Sequence, residues 1–93
     1  MGLIFTWDSR KATMNVSKHK ITFEEATAVF GDPLSLTIPD PEHSGMEERW
    51  VSMGMSNRKR VIVVVHTEQA GNIRIISARI ATAAERKFYE ESE

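Results

Sequence analysis

Ninety-three residues carry twelve Lys and Arg against thirteen Asp and Glu, with three His and no Cys, for a formal net charge of −1 at neutral pH. A chain of this length makes one domain, residues 1–93, with just enough apolar surface to fold without staples. The lack of cysteine excludes disulfides and thiolate metal sites, and three histidines far apart in sequence argue against zinc, so neither metal nor cofactor is expected.

The opening MGLIFTWD has no basic region followed by a long apolar run, and no later stretch approaches the length of a bilayer span, so a soluble cytoplasmic protein with no membrane partner is expected. A balanced total charge would argue against nucleic acid as a ligand, but the charges are segregated. Arg10, Lys11, Lys18, His19 and Lys20 crowd one segment and Arg58, Lys59 and Arg60 another, while Glu90, Glu91 and Glu93 end the chain. A basic face can hide in such a sum.

In chain order, Leu3 to Trp7 reads as a strand ending at Asp8, a good helix N-cap. The helix that follows runs to about Lys18. Its apolar face is thin, with Ala12 and Val16 four apart, and Lys11, Asn15 and Lys18 line a polar stripe at helical spacing. Thr22 and Glu25 have the spacing of a capping box, and Phe23, Ala26 and Phe30 give a second helix its core face before Gly31-Asp32-Pro33 stops it.

Leu34 to Ile38 reads as a strand, followed by a Pro- and Gly-containing loop that carries His43. From Glu48 to Met55 the alternation sets Arg49, Val51, Met53 and Met55 on one side. Arg60 to His66 contains VIVVV, the pattern of a strand covered on both faces and central in its sheet. Turn residues at Ser56–Lys59 and Gln69–Asn72 predict antiparallel hairpins. In the last strand the two-residue period sets Ile73, Ile75, Ser77 and Arg79 on one face and Arg74, Ile76, Ala78 and Ile80 on the other.

Thr82 and Glu85 then form a capping box, so a terminal helix starts at about Ala83 with its amide dipoles aimed back toward Arg79. The sum is an α+β fold: a mostly antiparallel sheet, two helices after the first strand, one helix at the end, and the helices in one layer. Cations at the seam between the last strand and the last helix can grip phosphate. The plainer reading is that Arg79 and Arg86 pair with Glu85, Glu90 or a terminal carboxylate.

The Trp7-Asp8 start, Lys18-His19, Phe23-Glu24-Glu25-Ala26, Glu48-Arg49, Val64-Val65-His66 and Ile75-Ile76-Ser77-Ala78-Arg79 occur in an order and spacing that resembles the BrnT family of bacterial type II toxins. The resemblance covers nearly the whole chain. It implies a RelE-like ribonuclease held inactive by a ribbon-helix-helix antitoxin, BrnA, with the complex binding its own promoter DNA. Two residues depart from the family pattern: Ile80 stands where a basic residue commonly follows Ala-Arg, and Lys59 where the hairpin before Arg60 often has glycine.

Metal-free RNA cleavage needs a base for the 2′-hydroxyl proton, a cation to steady the phosphorane and an acid for the leaving 5′-oxygen. Arg79 suits the phosphorane because its planar fork offers several donors to phosphate oxygens. Lys18 or His19 is expected to move protons or touch phosphate, as is His66 if it emerges at the end of its strand. Arg49, Arg86, Lys11 and Tyr89 are candidates for binding substrate, Tyr89 by stacking on a base or by donating a proton. Each has a plainer alternative: His66 as a buried, hydrogen-bonded strand residue, His19 as a helix-ending cation, Lys11 as a solvated charge. A noncatalytic module that engages a protein or nucleic acid through the same basic face is the competing function.

Overall fold

The structure, a computed structural model, describes residues 2–42 and 48–92; His43 lies outside them. Strand β1 (Ile4–Trp7) leads into helix α1 (Ser9–His19), helix α2 (Phe23–Thr27) and a 3-10 turn (Ala28–Gly31), then strands β2 (Leu36–Pro39), β3 (Trp50–Met55), β4 (Val61–Gln69) and β5 (Asn72–Ile80), and helix α3 (Ala83–Glu91). All five strands join one sheet in the order β1-β5-β4-β3-β2. Among the described residues only β1 and β5 pair in parallel. The apolar β4 is the middle strand, as its VIVVV run predicts.

Local chemistry sets the boundaries. The Asp8 carboxylate accepts the Arg10 and Lys11 amides and starts α1. Thr82 and Glu85 close both halves of the expected capping box on α3. At α2 only half of the expected box forms: Thr22 accepts the Glu25 amide, but the Glu25 carboxylate turns inward instead. There it accepts the Ser56 hydroxyl and the Arg60 guanidinium, tying α2 to the turn between β3 and β4. Burial pushes the Glu25 carboxyl up, and the bonds from Arg60 and Ser56 outweigh it, leaving it below its usual range. The strand expected from Leu34 starts at Leu36, because Asp32 holds Leu34 and Ser35 in a turn.

One face of the sheet carries the core. Ile62 and Val64 of β4 and Ile73, Ile75 and Ala78 of β5 pack against Ile21, Phe23, Ala26 and Val29, with Phe5, Trp7, Ala12 and Phe30 around them. Each fully buried aliphatic or aromatic side chain there contributes about 1.5–3 kcal/mol. The single layer of helices is a misreading: α1 and α2 cover this face, but Glu85 and Phe88 of α3 border a shallow apolar depression of Leu36, Ile38, Val51, Met53 and Val63 on the other. Phe88 is 62 % exposed there.

The expected face assignment of β5 also fails, at a bulge. Val65 pairs with Ser77 but the next residue, His66, pairs with Ile75, so Ile76 is an extra residue and the alternation restarts after it. Ala78 therefore joins Ile73 and Ile75 in the core, while Ser77 and Arg79 turn to the opposite face. Lys59 takes φ 61°, the left-handed conformation that glycine adopts freely. The departure from glycine at this position thus costs about 1 kcal/mol.

Candidate functional site

The site grows from an interruption in the sheet. Strand β1 stops pairing with β5 at Trp7 opposite Ile75, which leaves the β5 backbone beyond the bulge without a strand on that side. Asn15 of α1 takes the missing strand's place. Its amide oxygen accepts the Ala78 N–H at 3.0 Å, and its amide nitrogen donates to the Ala78 and Ile21 carbonyls at 2.9 Å each. Asn15 is 5 % exposed. It is thus the inward-facing member of the polar stripe that sequence spacing sets along α1.

Lys11, Lys18 and His19 stand four before, three after and four after Asn15, so they share its side of α1. Seating Asn15 on Ala78 brings all three to the rim of a shallow depression of about 230 Å³, with Ile76 and Ser77 at its β5 side. Ser77 also lines a second depression, of about 350 Å³, on the other face of the sheet, together with Arg79, Glu85, Asp40 and Val65. Three basic groups and Arg79 therefore flank one serine at the bulge.

Arg79 is paired. Its Nη1 and Nη2 donate to the two Glu85 carboxylate oxygens at 2.8 and 3.0 Å, and Nη1 also donates to the Ile80 carbonyl at 3.3 Å. The hydrogen bonds from Arg79 hold the Glu85 carboxyl down to about 2, burial working against them and the Thr82 amide with them. Arg79 itself is shifted up, first by its bonds to Glu85. The plainer pairings anticipated for both arginines are present, for Arg86 bonds Glu90 one helical turn on, at 3.2 Å. The Arg79 side also carries Asp40 and Glu42, so the cationic side of the serine is the α1 side.

The other candidates are not gathered here. His66 does not emerge at the end of its strand, because β4 continues to Gln69 and its imidazole is 0 % exposed among the core residues. There Nε2 shares a 2.7 Å hydrogen bond with the Ser52 hydroxyl, the ring meets Phe30 edge-on at 4.8 Å, and the Glu68 carboxylate lies 3.9 Å from Nδ1. Tyr89 is buried, its hydroxyl bonded to Asp32, so its ring is not offered to a base. Asp32 also accepts the Met55 and Leu34 amides. Burial pushes its carboxyl up and these three donors more than reverse that. Arg49 lies in a neighbouring depression across Asp40, beside Pro39 and Trp50.

Burial of His66 sets a pH dependence. Desolvation lowers its pKa from 6.5 to about 4, against a smaller opposite effect of the Thr67 backbone. The unfolded chain takes up this proton near 6.5 and the folded chain only near 4, so the unfolded state is favoured progressively as pH falls through that window. The loss amounts to about 3 kcal/mol across it. Urea unfolding at pH 7, 6 and 5 should show the decline, and His66→Gln, which can still bond Ser52, should flatten it. An equally steep decline in that variant would place the cause elsewhere.

Comparison with known proteins places this chain in a class of ribonuclease toxins. A family model described as "Ribonuclease toxin, BrnT, of type II toxin-antitoxin system" matches residues 7–85. The crystal structure of the Brucella abortus ribonuclease toxin BrnT superposes with a TM-score of 0.60 at 22 % identity, covering 88 % of this chain and 97 % of that one, and so has the same fold. No curated protein matches the sequence. The chain belongs to the BrnT family of ribonuclease toxins, and an RNA substrate and an antitoxin partner come with that membership.

Among the described residues no helix is long and apolar enough to cross a membrane.

Proposed function

We propose that this chain is a cytoplasmic endoribonuclease, a single BrnT-like domain that cuts RNA by metal-independent general acid-base chemistry at the β5 bulge. The observation that carries this reading is the convergence of Lys11, Lys18 and His19 on Ser77, with Arg79 across the strand. Lys11 and Lys18 take the RNA backbone, and His19 or Lys18 withdraws the 2′-hydroxyl proton. The 2′-oxygen bonds to phosphorus, the bond to the 5′-oxygen breaks, and that oxygen takes a proton from the conjugate acid. Arg79 stabilises the charge that gathers on the phosphorane oxygens between these steps. His66 and Tyr89 have no part in it, because neither side chain is accessible.

Family membership supports a cognate BrnA-like ribbon-helix-helix antitoxin as the partner that neutralises the enzyme, and promoter DNA as a ligand of the complex rather than of the toxin. The test of the catalytic reading is incubation with total RNA in excess chelator beside Arg79→Ala. Cleavage that the substitution abolishes is expected. Persistence in the variant, or no cleavage by either protein, would overturn it. One observation favours a second reading, a noncatalytic module that binds through the α1 cations: Arg79 is already engaged by Glu85. In that case Arg79→Ala changes binding at most, and RNA remains intact throughout.

A further inference from the structure

The geometry points to Glu85 as the positioning residue for Arg79: by occupying the outer end of the guanidinium it leaves the side edge, Nε–H and one Nη2–H, as a two-pronged fork for phosphate. This rests on the reading above that Arg79 meets the phosphorane.

A guanidinium has five N–H donors. Both on Nη1 are used, on Glu85 and on the Ile80 carbonyl, and one on Nη2 is used on Glu85. The two that remain lie next to each other along one edge, and among the described residues neither has a hydrogen-bond partner. That edge matches two oxygens of a phosphate. The Arg79 side chain is 42 % exposed and borders the depression on this face of the sheet, where a phosphate could approach it.

Glu85 can orient Arg79 because it is itself fixed. Its Oε1 accepts the Thr82 amide at 2.9 Å as well as Arg79 Nη1, and the Thr82 hydroxyl accepts the Glu85 amide at 3.1 Å. The capping box that begins α3 thus also clamps the arginine of β5. With its carboxyl held at about 2, Glu85 stays anionic wherever RNA is intact. An anion beside a phosphate weakens ground-state binding, whereas a fixed fork stabilises the transition state without reorganisation. The two effects separate experimentally.

The test uses a labelled mixed-sequence oligoribonucleotide for single-turnover cleavage and its 2′-O-methyl counterpart, which lacks the nucleophile, for binding. In Glu85→Gln the amide oxygen still accepts the Thr82 N–H, so the melting temperature should hold. Its saturating cleavage rate should fall about 10–100-fold, the cost of a misplaced group, while affinity for the 2′-O-methyl strand stays equal or tightens. Glu85→Asp keeps the charge but is one methylene too short to span Thr82 and Arg79, so its rate should also fall. A parental rate in Glu85→Gln overturns the proposal, as does a matching fall in rate, affinity and melting temperature, which marks a purely structural role. If Arg79→Ala also cleaves at the parental rate, the catalytic reading itself fails; if only that variant is inactive, the positioning role alone fails.

Discussion

Arg79→Lys should cleave RNA about 100–1,000-fold more slowly than the parent protein, the loss seen when an aligned donor to a developing oxyanion is removed. Lysine keeps the charge, so a result driven by charge alone would show little change. What lysine lacks is the planar pair of donors that can serve Glu85 at one end and a phosphate along the side. The fold should survive. The Arg79–Glu85 pair is partly exposed on both partners, and such pairs contribute no more than about 1 kcal/mol. Single-turnover cleavage and thermal unfolding of the same preparation therefore separate chemistry from stability. A lysine variant that cleaves at the parental rate would show that a positive charge suffices at this position.

The charges around the bulge add a constraint on how RNA lies. Asp40, Glu42 and Glu85 share the depression with Arg79, while Lys11, Lys18 and His19 line the one across β5. On the proposed reading a polyanion would be repelled by the first set and attracted by the second, so the backbone would enter from the α1 side and only the reacting phosphate would approach Arg79. Exposed charges at this range are screened within roughly 8 Å at physiological salt. The preference is therefore strongest at low ionic strength.

Caps and apolar periodicity made most elements legible. Asp8 and Thr82 begin their helices where their side chains predict, and VIVVV forms the central strand. The bulge left one mark, the adjacent Ile75 and Ile76 at which the alternation I-R-I changes phase to I-S-A-R-I, but a single period of two carried through the run gives mixed faces on both sides and hides it. Its consequence is large: unbroken alternation would put Arg79 on the core face with Ile73 and Ile75. For His66 the plainer reading, a buried strand residue hydrogen-bonded to a neighbour, is the one the structure shows, and the conditional catalytic role falls because the strand runs on past it to Gln69.

Asn15 did leave a signal. It stands one helical turn after Ala12 of the helix's thin apolar face, and an amide beside a covered face has to find buried partners. Spacing also links it to Lys11 and Lys18, and that pattern masked the first. Glu25 and Arg60 are thirty-five residues apart, so their pairing needs the tertiary fold to be seen.

Asn15→Asp should be strongly destabilising although the two side chains are isosteric. The shape is kept, and an aspartate oxygen can still accept the Ala78 amide. The other oxygen, however, replaces a donor to the Ala78 and Ile21 carbonyls with an anion facing both. A buried charge stripped of its partners costs about 3–5 kcal/mol, set against a total stability of about 5–15 kcal/mol for a protein of ordinary stability. The pH dependence identifies the mechanism. Burial raises the pKa of the new carboxyl in the folded state above its unfolded value, so the penalty is full above the raised pKa and shrinks as pH falls and the protonated acid regains a donor. The variant should thus lose less relative to the parent at pH 5 than at pH 7, opposite in sign to the effect of His66. Urea unfolding of both proteins at the two pH values measures this directly, and a penalty under about 1 kcal/mol at pH 7 would mean that β5 is not held by the clasp. Because the clasp also sets α1 against β5, the variant that remains folded should cleave more slowly as well, with Lys18 and His19 displaced from the strand that carries Arg79.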